Sequence, residues 1–275
     1  MAEKIPFMKL SGAGNDFVII DNREDVVQYE NTDFVEKVCQ RRMSAGADGV
    51  LLVENTDKAD FRMRYFNADG GEAETCGNGA RCISRFAYIN GIVSERMSFE
   101  TQAGIYESEI VGTDVKVRMS DPTDLRLNFP LQLEDGVHNI SFANSGVPHV
   151  LFFAEDLEGT DVFGLGRQTR YHDDFKPAGT NANFVRVNDA QAIDIRTYER
   201  GVEDETLACG TGSIAAAVVS AALGKVTSPV AVKTASGSVL TIHFDLVNGE
   251  PENVYLEGDA RIIYSGELTE DAWVY

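Results

Sequence analysis

Cys76-Gly77-Asn78-Gly79 and Cys209-Gly210-Thr211-Gly212 are the two stretches on which the reading of this chain turns. Laid over one another, they hold register at a single offset far beyond themselves. Gly91 meets Gly224, Val93 meets Val226, Thr101 meets Thr234 and Gly104 meets Gly237, without a gap. Chance does not hold register that long, so the chain carries an internal duplication.

Each copy reads the same way. A segment that alternates apolar and polar residues, Phe61 to Phe66 or Ile193 to Tyr198, has the period of a half-buried strand. An acidic loop follows, then Cys-Gly-x-Gly, then a helical stretch closed by glycine: residues 80–90 before Gly91, and 213–223 before Gly224. The second stretch is apolar nearly all round, which predicts a helix enclosed by other elements. Strand-rich segments with turn residues follow, Met97 to Met119 and Val230 to Tyr264. The expected class is α+β: two similar units, each an antiparallel β-barrel-like sheet wrapped around a central helix. Residues 1–121, joined by 266–275, form the expected N-terminal unit, and residues 122–265 the C-terminal one.

Composition narrows the function classes. At 275 residues the chain is long enough for two domains with cores of their own. It is 43% hydrophobic and 25% charged, as globular proteins are, and no apolar run approaches the roughly 20 residues that cross a bilayer. The start, Met1 to Pro6, has neither a secretory nor a transit-peptide character, so the expected location is the cytoplasm, with no membrane association. A formal net charge of −20 repels phosphate backbones and argues against a nucleic-acid partner. The four cysteines lack the short paired spacings of zinc sites, and His138, His149, His172 and His243 are scattered; neither a disulfide scaffold nor a metal centre is expected. Gly12-Ala13-Gly14 is not a dinucleotide loop, because Phe17 stands at the third glycine position and no βαβ pattern follows. Asn139-Ile140-Ser141 matches a glycosylation acceptor only by coincidence.

Cys39 and Cys82 fall inside helical stretches and read as small buried hydrophobes. Cys76 and Cys209 read differently. Inverting a stereocentre that carries hydrogen needs one group to take a proton from one face and a second to deliver one to the other. A twofold repeat carrying the same acid-base residue at the same place supplies both, if the two units face each other across the substrate α-carbon. Cysteine suits the task because its pKa of about 8.5 falls at a helix N-terminus. The amides of Gly77, Asn78, Gly210 and Thr211 can bind a substrate carboxylate and stabilise the charge that develops on deprotonation, by about 3 kcal/mol per donor. No cofactor is then required. At rest one cysteine is expected as thiolate and the other as thiol, with coupled titrations.

The ordered motifs Lys9 to Phe17, Phe66 to Gly70, Cys76 to Cys82, Gly179-Thr180-Asn181, Glu199-Arg200-Gly201 and Ala208 to Gly212 resemble the diaminopimelate epimerase family along nearly the whole chain. The resemblance implies interconversion of LL- and meso-diaminopimelate by Cys76 and Cys209 without cofactor, on the route to lysine and peptidoglycan. It implies that Asn15, Asn67, Asn181, Glu199 and Arg200 contact substrate, that Gly77, Asn78, Gly210 and Thr211 hold its reacting carboxylate, and that His149 and Glu199 tune the cysteines. A homodimer is implied as well. Two positions depart from the family pattern. Gly146-Val147-Pro148-His149 stands where Gly-Asn-Pro-His is common, so that Asn144 or Ser145 would have to substitute, and Gly49 stands where some members carry glutamine. Val147 keeps open a related racemase acting on another amino acid, such as histidine; a thiol redox sensor is the reading from a different class.

Overall fold

The computed structural model describes residues 4–27, 32–74 and 76–275. The described residues form two compact units, one running to Val117 and taking back Gly258–Tyr275, the other Arg118–Glu257.

In the first unit the elements are β1 (Ile5–Gly12), β2 (Asn15–Asp21), α1 (Thr32–Cys39), β3 (Gly49–Glu54), β4 (Phe61–Asn67), β5 (Glu72–Ala73), α2 (Gly77–Ile89), β6 (Arg96–Thr101), β7 (Gly104–Val111) and β8 (Asp114–Arg118). The second repeats them as β10 (Gly136–Asn144), β11 (Pro148–Phe153), α3 (Val162–Arg170), β12 (Asn181–Asp189), β13 (Ala192–Glu199), β14 (Asp204–Thr206), α4 (Gly210–Ala222), β15 (Val230–Lys233), β16 (Val239–Val247) and β17 (Glu250–Asp259). Two further strands flank the repeat. β9 (Thr123–Leu133) pairs with β10, and β18 (Arg261–Leu268), from the end of the chain, takes the matching place against β1, with Ile5 opposite Leu268.

The α+β class and the two-unit repeat hold, but the sheets are mixed rather than wholly antiparallel. β2 runs parallel to β3, β4 to β6, β11 to β12 and β13 to β15. Parallel neighbours need a long crossover, and each of these connections contains one of the four α-helices of the described residues. The crossovers also cover both sides of the strands. Phe17, Val18, Ile19 and Ile20 in β2 are all fully buried; Val18 and Ile20 pack on Phe34, Val35 and Val38 of α1, while the alternate residues point to the other face. α2 contacts β1, β2, β3, β4 and β7, and α4 contacts β10 through β13, β15 and β16, so each is the enclosed helix of its unit. In α4 every residue from Gly212 to Ser220 is buried.

The central helices begin earlier than the glycine-closed stretches suggest, because the cysteines cap them. Cys76 (φ −150°, ψ 120°) accepts the Gly79 N–H on its sulfur at 3.4 Å, and Cys209 (φ −127°, ψ 111°) accepts the Gly212 N–H at 3.4 Å. Both helices end in the same glycine motif. Gly91 and Gly224 take φ 67° and 71°, and the following N–H groups, of Ile92 and Lys225, reach back to Ala87 O and Ser220 O, each at 2.9 Å.

Candidate active site

Around Cys76 the polar groups form a chain with a fixed direction. The Arg81 Nη2 donates to Asn78 Oδ1 at 2.7 Å; a guanidinium can only donate, so the Asn78 amide nitrogen must face the other way. It donates to Asn15 Oδ1 at 2.6 Å, and Asn15 in turn donates to Asp48 Oδ2 at 3.2 Å. Asp48 is held from its other oxygen by Arg41 at 2.9 Å. Asn15 and Asn78, both expected to meet substrate, are therefore oriented before any ligand arrives. Asn67 is oriented by the Tyr65 hydroxyl, which donates to its Oδ1 at 2.6 Å. Burial raises the Cys76 thiol, against the backbone N–H groups of Gly79 and Asn78 and the charge of Arg81, while Asp48 adds to the rise. The N–H groups of Gly77 and Asn78 precede the first intrahelical bond, from Ala80 N to Cys76 O, and belong to the turn that a helix leaves open to ligands.

Gly49 is there for steric reasons. A Cβ at that position would lie 2.5 Å from the backbone oxygen of Phe66 and 2.7 Å from the Tyr65 ring, so no side chain, glutamine included, fits. The Gly12-Ala13-Gly14 turn joins β1 to β2 as an antiparallel hairpin, with Gly12 opposite Asn15.

Around Cys209 the arrangement differs. Its thiol is pushed up to about 11, first by burial and then by the carboxylate of Glu199, against hydrogen bonds from Thr211 and Gly212. Glu199 is itself raised by burial and accepts from the Thr206 hydroxyl at 2.8 Å. His149 does not touch the sulfur. It is fully buried, its Nε2 lies 3.0 Å from Thr211 Oγ1, and that hydroxyl lies 3.5 Å from Cys209 Sγ. Asn183 fixes the ring. One of its N–H groups donates to Val150 O at 3.0 Å and the other faces His149 Nδ1 at 3.1 Å, so Nδ1 accepts and Nε2 carries the proton. Burial holds the imidazole at about 3, and it stays neutral. It donates to Thr211, whose own proton is then directed to the sulfur.

Asn181 is 3% exposed and braces the backbone, donating to Pro148 O at 3.0 Å and accepting the Arg200 N–H at 2.8 Å. Arg200 extends its guanidinium to Ala178 O at 3.1 Å. Ser145 does not stand in for an asparagine at position 147: it is buried and donates to Thr211 O at 2.8 Å. Asn144 uses its Oδ1 on the Gly146 N–H. Cys39 and Cys82 are buried and both pushed up to about 12 by burial, as inert thiols should be.

Sequence reading passed over Asp48, Asn183 and the hydroxyl of Thr211. Asn183 left one trace, a second asparagine two places after Asn181 on a strand that is otherwise apolar there. Among the described residues no three His, Cys, Asp or Glu side chains gather as a metal site, and no helix is long and apolar enough to cross a membrane.

The diaminopimelate epimerase family model matches residues 7–124 and 141–263. The chain belongs to that family. Its relatives include the diaminopimelate epimerase of Aquifex aeolicus, 44% identical across 98% of this chain and 99% of the relative, and that of Chlorobaculum tepidum, 44% identical across 94% and 100%. An archaeal family member from Archaeoglobus fulgidus is also 44% identical, across 96% of each chain. Among solved structures, a phenazine biosynthesis protein of the PhzF family from Enterococcus faecalis superposes with a TM-score of 0.71 at 14% identity, covering 97% of this chain and 99% of the other. A hydroxyproline epimerase from Agrobacterium vitis does so at 0.65 and 16%, covering 98% and 94%. The fold is thus shared by several chemistries, and the family is fixed by sequence. Membership makes the chain an isomerase of the epimerase type.

Proposed function

We propose that this protein interconverts LL-2,6-diaminopimelate and the meso form without a cofactor, with Cys76 and Cys209 acting on opposite faces of one α-carbon. The observation that carries the reading is the pair of matching thiols, each capping the N-terminus of the enclosed helix in its unit. In one direction a thiolate takes the α-proton and becomes a thiol, the bonding pair stays on the α-carbon and its carboxylate, and the opposite thiol delivers its proton to the other face and becomes a thiolate. The exchanged pair is set for the reverse reaction, which uses the same groups with roles swapped; before the next turnover in the same direction the new thiol gives its proton to solvent and the new thiolate takes one up. The N–H groups of Gly77, Asn78, Gly210 and Thr211 bind the reacting carboxylate and stabilise the charge that gathers on it, at about 3 kcal/mol per well-placed donor.

Asn15, Asn67, Asn181, Glu199 and Arg200 complete the substrate contacts, and His149 and Glu199 act on Cys209. The formal net charge of −20 suits a small zwitterionic substrate better than a polyanion, and a cytoplasmic location and a place in lysine and peptidoglycan synthesis go with it. The two compact units are proposed as the two domains, and a homodimer as the assembly.

The test is turnover of LL-diaminopimelate in deuterium oxide alongside a panel of other amino acids, histidine and proline included. Deuterium entering only diaminopimelate, at the inverted carbon, supports the reading. Faster exchange into another amino acid replaces the substrate, and no exchange into any removes the reaction.

A further inference from the structure

Arg81 is fully buried in α2, on the helix that Cys76 caps, and among the described residues its hydrogen-bond partners are neutral. Its Nε donates to the backbone oxygen of Asp259 at 3.2 Å, Nη1 to Gly77 O at 3.3 Å and Nη2 to Asn78 Oδ1 at 2.7 Å. A buried guanidinium without an anion is costly, and near a helix N-terminus the macrodipole opposes it as well. Such a charge is retained where it has a counter-ion.

Few anions are within its field. The Asp259 carboxylate adds its charge through space, but its oxygens are engaged elsewhere, accepting the Ala13 N–H at 2.9 Å and pairing with Arg261 at 2.8 Å. Asp114, on β8, adds a weaker field. The Cys82 thiol is pushed up to about 12 and stays protonated. That leaves Cys76, one residue before Gly77 and two before Asn78, the residues on which the guanidinium is anchored. The other titratable neighbours of Cys76 are Asp48, which opposes its ionisation, and Tyr65, whose phenol is raised well above its ordinary range by burial and by the Cys76 charge.

The duplication supplies an internal comparison. The residue five places after Cys209 is Ile214, buried and apolar, where five places after Cys76 stands Arg81. The charge that acts on Cys209 is the carboxylate of Glu199, which raises it. The two thiols thus share backbone geometry and differ in the sign of the neighbouring charge.

We infer that Arg81 is the counter-ion of a Cys76 thiolate, so that the resting enzyme carries its base on Cys76 and its acid on Cys209. Arg81 acts through Cys76 and through the orientation of Asn78, and is a positioning residue. The inference rests on the reading of the two cysteines as the acid-base pair, but its test needs no turnover.

The experiment is alkylation of the intact, substrate-free enzyme by iodoacetamide across pH 5–10, with each cysteine followed separately by mass spectrometry. The midpoint of each profile is the readout, because it reports ionisation and is independent of accessibility. Cys76 is expected to have the lower midpoint by at least one pH unit. R81M moves the Cys76 midpoint up by a unit or more and leaves that of Cys209 in place, while R81K keeps the wild-type midpoint. A merely structural role for Arg81 would give the same Cys76 midpoint in folded R81M. That result, or a lower midpoint for Cys209 in the wild type, overturns the inference, and the wild-type comparison decides even if R81M does not fold. Loss of epimerase activity in neither C76A nor C209A would instead sink the underlying reading.

Discussion

The His149 Nε2 stands 3.0 Å from the Thr211 hydroxyl, and it is through this hydroxyl, 3.5 Å from Cys209 Sγ, that the imidazole reaches the thiol. A hydrogen bond to an ionised sulfur is worth about 1.5 kcal/mol or more, equivalent to roughly a tenfold rate effect. Thr211→Val, which keeps the backbone N–H and the shape, is therefore expected to lower kcat about tenfold, and Thr211→Ser to restore most of it. Steady-state kinetics on the two variants check this; equal rates in both would remove the hydroxyl from the pathway.

The same chain fixes the state of the imidazole. Burial lowers His149 to about 3, and the charge of Arg200 adds to the lowering. Nitrogen-15 NMR should find His149 neutral with the proton on Nε2, and without titration between pH 5 and 8. The stability sign follows: the unfolded chain takes up a proton near pH 6.5 that the folded one refuses until about 3, so this residue makes the fold less stable as pH falls through that window. A titration midpoint near 6 would contradict the assignment.

Asp16 has the same sign in a lower pH window. Burial acts to raise its carboxyl, but hydrogen bonds and charge from Arg41 and Lys9 outweigh it and bring it to about 2. Lys9 is 4% exposed and lies 2.8 Å from Asp16. The stability from this carboxylate is present above the ordinary 3.8 and is lost as pH falls toward 2. Asp16→Asn leaves a buried ammonium without its anion and should cost about 3 kcal/mol. Urea denaturation at pH 7 and again near pH 3 measures both, with a smaller difference between variant and wild type at the lower pH.

At Gly49 the obstacle to any side chain is backbone, the Phe66 oxygen 2.5 Å from a Cβ. Gly49→Ala should destabilise the protein by about 1–3 kcal/mol through overpacking between β3 and β4. Gly210→Ala should cost less, because there the closest atom, at 3.1 Å, is the end of the Leu256 side chain. Melting temperatures of the two variants give the order directly.

Much of this was legible in the sequence. The glycine-closed repeat located α2 and α4, and their shared cysteine caps follow from residue order alone, since a side chain three places before an N–H group is in reach of it. What crosses between strands was not. Whether β2 lies parallel to β3 depends on a crossover through α1, which leaves no mark on the alternation within either strand. The contact of His149 with Asn183 and Thr211 joins β11, β12 and the start of α4, and no spacing relates them. Arg81 was visible as a letter of the Cys76–Cys82 motif, but its charge has meaning only once it is known to be buried among neutral partners. Val147 remains a position where the family pattern is departed from; the neighbouring Ser145 is engaged with Thr211 rather than turned to a substrate.

The most direct test of the account is epimerisation of LL-diaminopimelate in deuterium oxide by the wild type, Cys76→Ala and Cys209→Ala. The account predicts meso product carrying one solvent deuterium at the inverted carbon from the wild type, and a loss of turnover of about a thousandfold in each variant, the scale of a missing general acid or base. Full turnover in either variant would contradict it.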